Sequence, residues 1–397
     1  MKLSAELKAF IHRNMNEDTD KLLLSASRFP GIDVPFAVNQ ILIRKQLKYK
    51  VPEWSAHPDL VFPSRISAEQ CSSFHTALYK QDLIRGKIVC DLTGGLGVDS
   101  WYFSRKAEKV VYIEQNKEYC EAATTNFEFL YADNIRILHA DSTQVAETIE
   151  ADTFYIDPAR RSASNARLFA LSDCEPNVLE IKSLLLKKAY RLIIKISPMA
   201  DITESLRLLP ETVEVHVLSV KNECKELLFV LEETETEQRE IEIHTVNYTS
   251  DDTSQYFHFS HTVEKNTSTN YTSSVKKYLY EPNASLLKAG AFKLPAEKFG
   301  MEKLHQHSHL YTSDKWIPEF PGRCFLVTDV LSGSGKELNG LGKKYPKANI
   351  SVRNFPLSVD EIRKRGKVKE GGNYYLFAST LGNNDRVIIV CTKATNI

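Results

Sequence analysis

From residue 87, short β-branched runs alternate with stretches of helical pattern: "KIVCDLT", "KVVYIEQN", "NIRILHAD", "TFYIDPA" and "LIIKISP". Such alternation predicts βαβ units, because parallel neighbours need a helical crossover and covered faces make the strands continuously apolar. Two later runs, "VEVHVLSV" and "ELLFVLEE", are separated only by "KNECK". That is too short for a parallel crossover and predicts an antiparallel hairpin at the end of the sheet. The fold class expected over 86–232 is therefore α/β, a Rossmann-like parallel sheet.

At 397 residues the chain outgrows a single core, so two or three domains are expected. Residues 1–85 read as a helical segment broken at "FPGIDVPF" and "VPEWSAHPDLVFP". Its last part, "SAEQCSSFHTALYK", reads as a helix opened at Ser67 by a serine cap with an acidic residue close behind, as in a capping box. Residues 233–320 begin acidic and Thr-rich and read as a linker or accessory α+β region. Residues 321–397 follow a β-α-β-α-β-β order and predict a small α+β domain.

Lys+Arg and Asp+Glu balance at 51 each, yet 222–281 holds 12 acidic against 5 basic side chains and 282–397 holds 18 basic against 10 acidic. Such asymmetry marks a candidate interaction surface. Seven widely spaced cysteines without a C-x-x-C pair fit a reduced compartment. The first residues lack a signal-peptide apolar core, and no apolar run approaches the length of a membrane span, so a cytoplasmic location is expected.

"CDLTGGLGVDS" ends the first run with Asp91, followed by Thr93, Gly94, Gly95 and Gly97 before a helix. Glycines there allow close backbone approach to a ligand, and the helix that follows offers free N–H groups. Gly95-x-Gly97-x-x-Ser100 departs from a dinucleotide fingerprint. The D-x-T-x-G-x-G opening instead resembles the first motif of class I S-adenosylmethionine-dependent methyltransferases. Glu114 ends the second run about twenty residues further on, where a carboxylate can accept both ribose hydroxyls. Asp141 ends the third, where that family carries a residue meeting the adenine.

"FYIDPARRS" ends the fourth run. Methylating an amine requires a group that aligns the nitrogen lone pair and accepts its N–H, which Asp157 can do, with Pro158 fixing the turn. Arg160 and Arg161 stand where an acceptor phosphate or purine could be gripped. Methylation at a pyrimidine C5 would need a cysteine nucleophile, which neither "YIDPARR" nor "LIIKISPMAD" carries.

Taken together, "EQCSSFHTALYK", "DLTGGLGVDSW", "YIDPARRSASNARLF", "KNECKELLF" and "VRNFPLSVDEIRKRGKVKEGGNYYLFAST" resemble the bacterial class I methyltransferases with a C-terminal THUMP-like domain. The turn is also similar to that of guanine-N2 methyltransferases acting on ribosomal RNA. The resemblance implies S-adenosyl-L-methionine as cofactor and a structured RNA, tRNA or rRNA, as partner. Where class I enzymes that methylate exocyclic amines carry a second proline and an aromatic residue, this chain has Ala159 and Arg160. Arg353, Arg363, Arg365 and Lys367, interleaved with aromatics, are the candidate RNA contacts. Lys80 is a candidate contact to the cofactor carboxylate or the RNA. "LHQHSHL" places His305, His307 and His309 on one face of an expected strand without an acidic or cysteine partner, and no metal site is assigned. Two other readings stay open: a non-catalytic RNA-binding protein retaining the fold, and a methyltransferase of a protein or small molecule.

Overall fold

Four of the apolar runs become β1 (Ile88–Asp91), β2 (Lys109–Glu114), β3 (Ile135–His139) and β4 (Thr153–Ile156). All pair in parallel, in the order β3-β2-β1-β4, and the strand Arg191–Ile196 continues in parallel beyond β4. The chain winds one way from β1 to β3 and the other way from β4 onward. The order therefore reverses between β1 and β4, the place where open α/β sheets leave a ligand crevice at the carboxyl ends of their strands. Crossover helices begin on side-chain caps: Asn116 accepts from the Glu118 and Tyr119 N–H groups, and Asn177 from that of Leu179.

The computed structural model describes residues 2–160, 171–233 and 240–394. It divides into two units, Met1–Val213 with Leu228–Glu237, and Glu214–Leu227 with Gln238–Ile397. The helical N-terminal segment belongs to the first unit and shares its core: Leu47, Trp54 and Phe62 pack with Leu96, Trp101, Tyr112 and Phe127. Between these helices, residues 60–62 run buried without regular structure, so their backbone groups need side-chain partners. Gln40 bonds both the N–H and the C=O of Phe62, Asn126 does the same for Val61, and Arg44 donates to the Leu60 carbonyl at 2.6 Å.

The expected helix from Ser67 is two helices, Arg65–Gln70 and Phe74–Gln81, capped by Ser64 and Ser73. The break has a physical reason. Ser72 is drawn out of helical geometry into a buried polar cluster, where it receives the Lys80 ammonium at 2.6 Å and donates to Asp99 Oδ2 at 2.8 Å. Lys80 is fully buried, lies 2.9 Å from Asp99 Oδ1, and Tyr155 on β4 also donates to Asp99. That burial corrects the expectation that Lys80 reaches RNA.

Thr212–Val220 and Glu223–Leu231 are joined by Lys221 and Asn222, both at positive φ, as a two-residue hairpin turn demands. The hairpin was expected to end the sheet. Instead, Glu242–Tyr248 pairs in parallel with Thr212–Val220, and Ser254–Ser260 follows antiparallel. The acidic, Thr-rich composition hid a period-two pattern in which Ile243, Thr245 and Asn247 are buried.

A second sheet joins Tyr278–Pro282, Gly322–Ser332, Arg386–Lys393, Lys369–Thr380 and Lys347–Arg353, in that order. The helices Gly335–Lys344 and Val359–Gly366 supply Leu338, Leu341 and Ile362 to its core. Ser358 and Glu361 close a capping box at the start of the latter. The boundary expected near 320 thus falls inside one sheet, which strands from both sides share. Among the described residues no helix is long and apolar enough to cross a membrane.

Removing one partner of a buried ion pair strands the other, a loss of about 3–5 kcal/mol. Lys80→Met is accordingly expected to lower stability by about that much in chemical denaturation, and adding Asp99→Leu is expected to recover most of it. A single variant as stable as the parent contradicts this role for the pair.

Candidate active site

The glycine turn leaves β1 at Asp91, which is 1% exposed. Its Oδ1 accepts the Thr93 N–H at 3.0 Å and its Oδ2 the Ser100 hydroxyl at 2.6 Å. Asp91 braces the turn from beneath. Burial disfavours its charge more than these hydrogen bonds favour it, and the carboxyl is pushed up to about 7. Gly94 is required by close approach, since a Cβ there would run into the ring of Tyr112. Gly95 differs: at φ +55°, a Cβ would meet only the Thr93 carbonyl at 3.8 Å, so this part of the turn faces open space. The turn is held to β2 as well, because Tyr112 donates to the Gly95 carbonyl at 2.6 Å.

At the end of β2, Glu114 Oε2 accepts the Gly95 N–H at 2.9 Å and Oε1 the Asn116 N–H at 2.7 Å. A carboxylate offers about four acceptor positions, so capacity remains for two hydroxyls of a ligand. Asp141, after β3, caps the short helix Ser142–Val145 through Oδ1, which accepts from the Thr143 N–H and hydroxyl. The Ala140 N–H reaches the Glu114 carbonyl at 3.1 Å, so the two acids stand at neighbouring strand ends.

Beyond β4, the Asp157 N–H donates to the Thr93 hydroxyl at 2.7 Å. Its side chain is 38% exposed, and Oδ2 receives the Lys195 ammonium at 2.6 Å. Among the described residues, Oδ1 has no hydrogen-bond donor. Pro158 is buried. Ala159–Arg160 forms a two-residue antiparallel bridge with Cys174–Glu175; the side chain of Arg160 and the whole of Arg161 lie outside the described residues. Lys195 was missed in the sequence, although a lysine inside "RLIIKIS" was the available signal.

In the second unit, the predicted basic residues separate into two groups. Arg353 pairs with buried Glu281 at 2.9 Å, an acid that Arg323 also holds, and Arg363 donates to the Ala348 carbonyl at 3.4 Å. Arg365 and Lys367 are exposed and stand with Lys343, Lys344, Lys347, Lys364 and Lys369. Close packing of Gly342 against the Gly366 and Lys367 carbonyls, and the pairing of Lys347 with Lys369, bring the ends of two helices and the starts of two strands together. None of these seven has an ion-pair partner among the described residues. His305, His307 and His309, expected on a strand, lie instead in and beside a turn, with His309 stacked on Phe292 at 3.9 Å.

Residues 278–321 match a ferredoxin-like domain family, and residues 322–393 match the THUMP domain-like family. Over its whole length the chain is similar to the crystal structure of a candidate methyltransferase from Porphyromonas gingivalis W83, at 35% identity, with 100% of both chains covered and a TM-score of 0.89. A stretch of 108 residues is 30% identical to a Clostridium tetani (strain Massachusetts / E88) protein named an uncharacterized RNA methyltransferase. That match takes in 26% of this chain and spans only about a quarter, 24%, of the relative's length. The chain belongs to the family of the P. gingivalis protein, the bacterial class I methyltransferases with a C-terminal THUMP-like domain.

The raised Asp91 carboxyl links folding to pH. The unfolded chain releases this proton near 3.8 and the folded chain near 7, so only the folded state holds it between those values. Its contribution to stability is complete below the unfolded value and falls as pH rises through this window. Asp91→Asn is expected to lose that slope, so that variant-minus-parent stability climbs by up to a few kcal/mol from pH 5 to 8 in denaturation curves. A difference that does not vary with pH contradicts the assignment.

Proposed function

We propose that the chain is an S-adenosylmethionine-dependent methyltransferase that modifies a base nitrogen, of guanine-N2 type, in structured RNA such as tRNA or rRNA. The observation carrying this reading is the 2.7 Å bond from the Asp157 N–H to Thr93, which fixes the cofactor turn and the acceptor carboxylate as one piece. The residues present fit the cofactor. Gly95 leaves the turn open, and Glu114 and Asp141 place acceptors at successive strand ends for ribose and adenine, with Asp91 and Thr93 bracing the turn from within. S-Adenosylmethionine supplies an electrophilic sulfonium methyl when bound.

The chain's own part is alignment. Lys195 fixes Asp157 through Oδ2, and Oδ1 remains to accept the N–H of the attacking amine, which turns the nitrogen lone pair toward the methyl. Buried Pro158 holds the turn that carries this carboxylate. Arg160 and Arg161 follow as contacts for the nucleotide. The seven exposed cations at one end of the THUMP-like region suit an RNA backbone, where each phosphate contact releases counterions. Arg365 and Lys367 belong to this group, whereas Arg353 and Arg363 support the fold behind it. The Clostridium tetani relative's name also favours RNA over a protein or small molecule.

The test is methyl transfer from labelled S-adenosylmethionine into RNA isolated from a strain lacking the protein. Asp157→Ala is expected to lower transfer at least about 100-fold, in line with loss of a positioned acid–base group, while cofactor affinity stays within about threefold of the parent. Replacing Lys343, Lys344 and Lys367 with Gln is expected to weaken RNA binding and flatten its salt dependence. Equal turnover by Asp157→Ala removes that residue from the mechanism, and an unchanged salt slope removes the basic end from RNA binding.

A further inference from the structure

Three adjacent strands of the second unit each carry a histidine at the same level. The parallel register sets His216 opposite His244, and the antiparallel register sets His244 opposite His258. Their rings stack across the strands, with centroids 4.7 Å and then 6.1 Å apart and planes within 12° and 20°. Glu214 precedes His216 by two residues and so shares its face, with Oε2 3.0 Å from His216 Nε2. One ligand atom from each of Glu214, His216 and His244 lies within 4.8 Å of the other two.

We infer that Glu214, His216 and His244 form a binding site for a divalent transition-metal ion of the zinc type, with a fourth position open to water or to His258. Two imidazoles and one carboxylate are a donor set that suits zinc, copper or nickel better than calcium or magnesium, which prefer oxygen. Zinc–nitrogen bonds of about 2.0–2.1 Å place tetrahedral donors roughly 3.3 Å apart, so side-chain rotation on a fixed backbone register closes the site. The Tyr256 hydroxyl lies 2.7 Å from His244 Nδ1, which orients the ring and turns Nε2 toward the ion, the usual outer-shell arrangement at a ligating histidine. His216 is 2% exposed, whereas His258 and Tyr256 are exposed and leave an entry path. The sequence reading assigned no metal. The three histidines sit in separate runs, "VEVHVLSV", "EIHTVNY" and "SQYFHFS", and only the strand register brings them together.

The test is titration of the full-length protein, stripped with a chelator, with Co²⁺, followed by visible d–d absorption and competition with Zn²⁺. One equivalent per chain is expected to bind and to be displaced by Zn²⁺. His216→Ala and His244→Ala are each expected to weaken binding at least tenfold, as is the shape-conserving Glu214→Gln, which guards against loss through misfolding. A His305→Ala/His307→Ala variant is expected to bind as the parent does. No stoichiometric cobalt spectrum, or a spectrum that survives all three ligand substitutions, overturns the site; loss of the spectrum in the His305/His307 variant moves it to the turn.

Discussion

One hydrogen bond, from the Asp157 N–H to the Thr93 hydroxyl, holds together what the rest of the site requires. β1 and β4 are adjacent parallel strands at the point where the winding reverses, so the turns that leave them diverge and open a crevice. A crevice built only from diverging turns would be loose. Here Ser100, Asp91, Thr93, Asp157 and Lys195 make a continuous hydrogen-bonded line from the helix after the glycine turn to the strand beyond β4. Groups held in this way lose little freedom when a substrate arrives, which is the basis of catalysis by positioning.

Electrostatics around this line depend on which acids have a cation. Burial works against the charge of Asp99, but Lys80 and Lys195 outweigh it and hold that carboxyl below the usual range. Asp91 is more deeply buried and has no adjacent cation among the described residues, and its carboxyl rises. Two neighbouring acids are thereby separated in proton affinity by their surroundings alone. The buried Lys80–Asp99 pair also explains why the preceding helices belong to the same unit as the sheet: Ser72, Lys80, Asp99 and Tyr155 come from both parts and satisfy one another.

The parallel sheet was legible in the sequence because β1, β2, β4 and Arg191–Ile196 are apolar runs of strand length separated by helical segments. The C-terminal β-α-β-α-β-β order was legible for a similar reason, since most runs there are bounded by Gly, Pro or Ser. The strands at 242–248 and 254–260 were not, because polar residues on their outward face, Glu242, His244, Ser254, His258 and Ser260, mimic a polar linker. The break at Cys71–Ser73 was hidden because it is caused by a long-range partner, Asp99, rather than by a local Pro or Gly. Among site residues, the acids and glycines stood out at strand ends. Lys195 did not, since a lysine in a buried strand has meaning only once its partner Asp157 is known. Local spacing also proved a poor guide to histidines: the close triplet 305–309 lies in and beside a turn, while the scattered His216, His244 and His258 align.

The central claim is that the turn after β1 and the carboxylate after β2 together hold S-adenosylmethionine. Calorimetric titration of the purified protein with that cofactor, beside a Glu114→Ala variant, tests it most directly. The account predicts roughly micromolar binding by the parent, about −8 kcal/mol, and at least a tenfold loss in the variant. Binding that is absent from the parent, or that the variant retains in full, would contradict it.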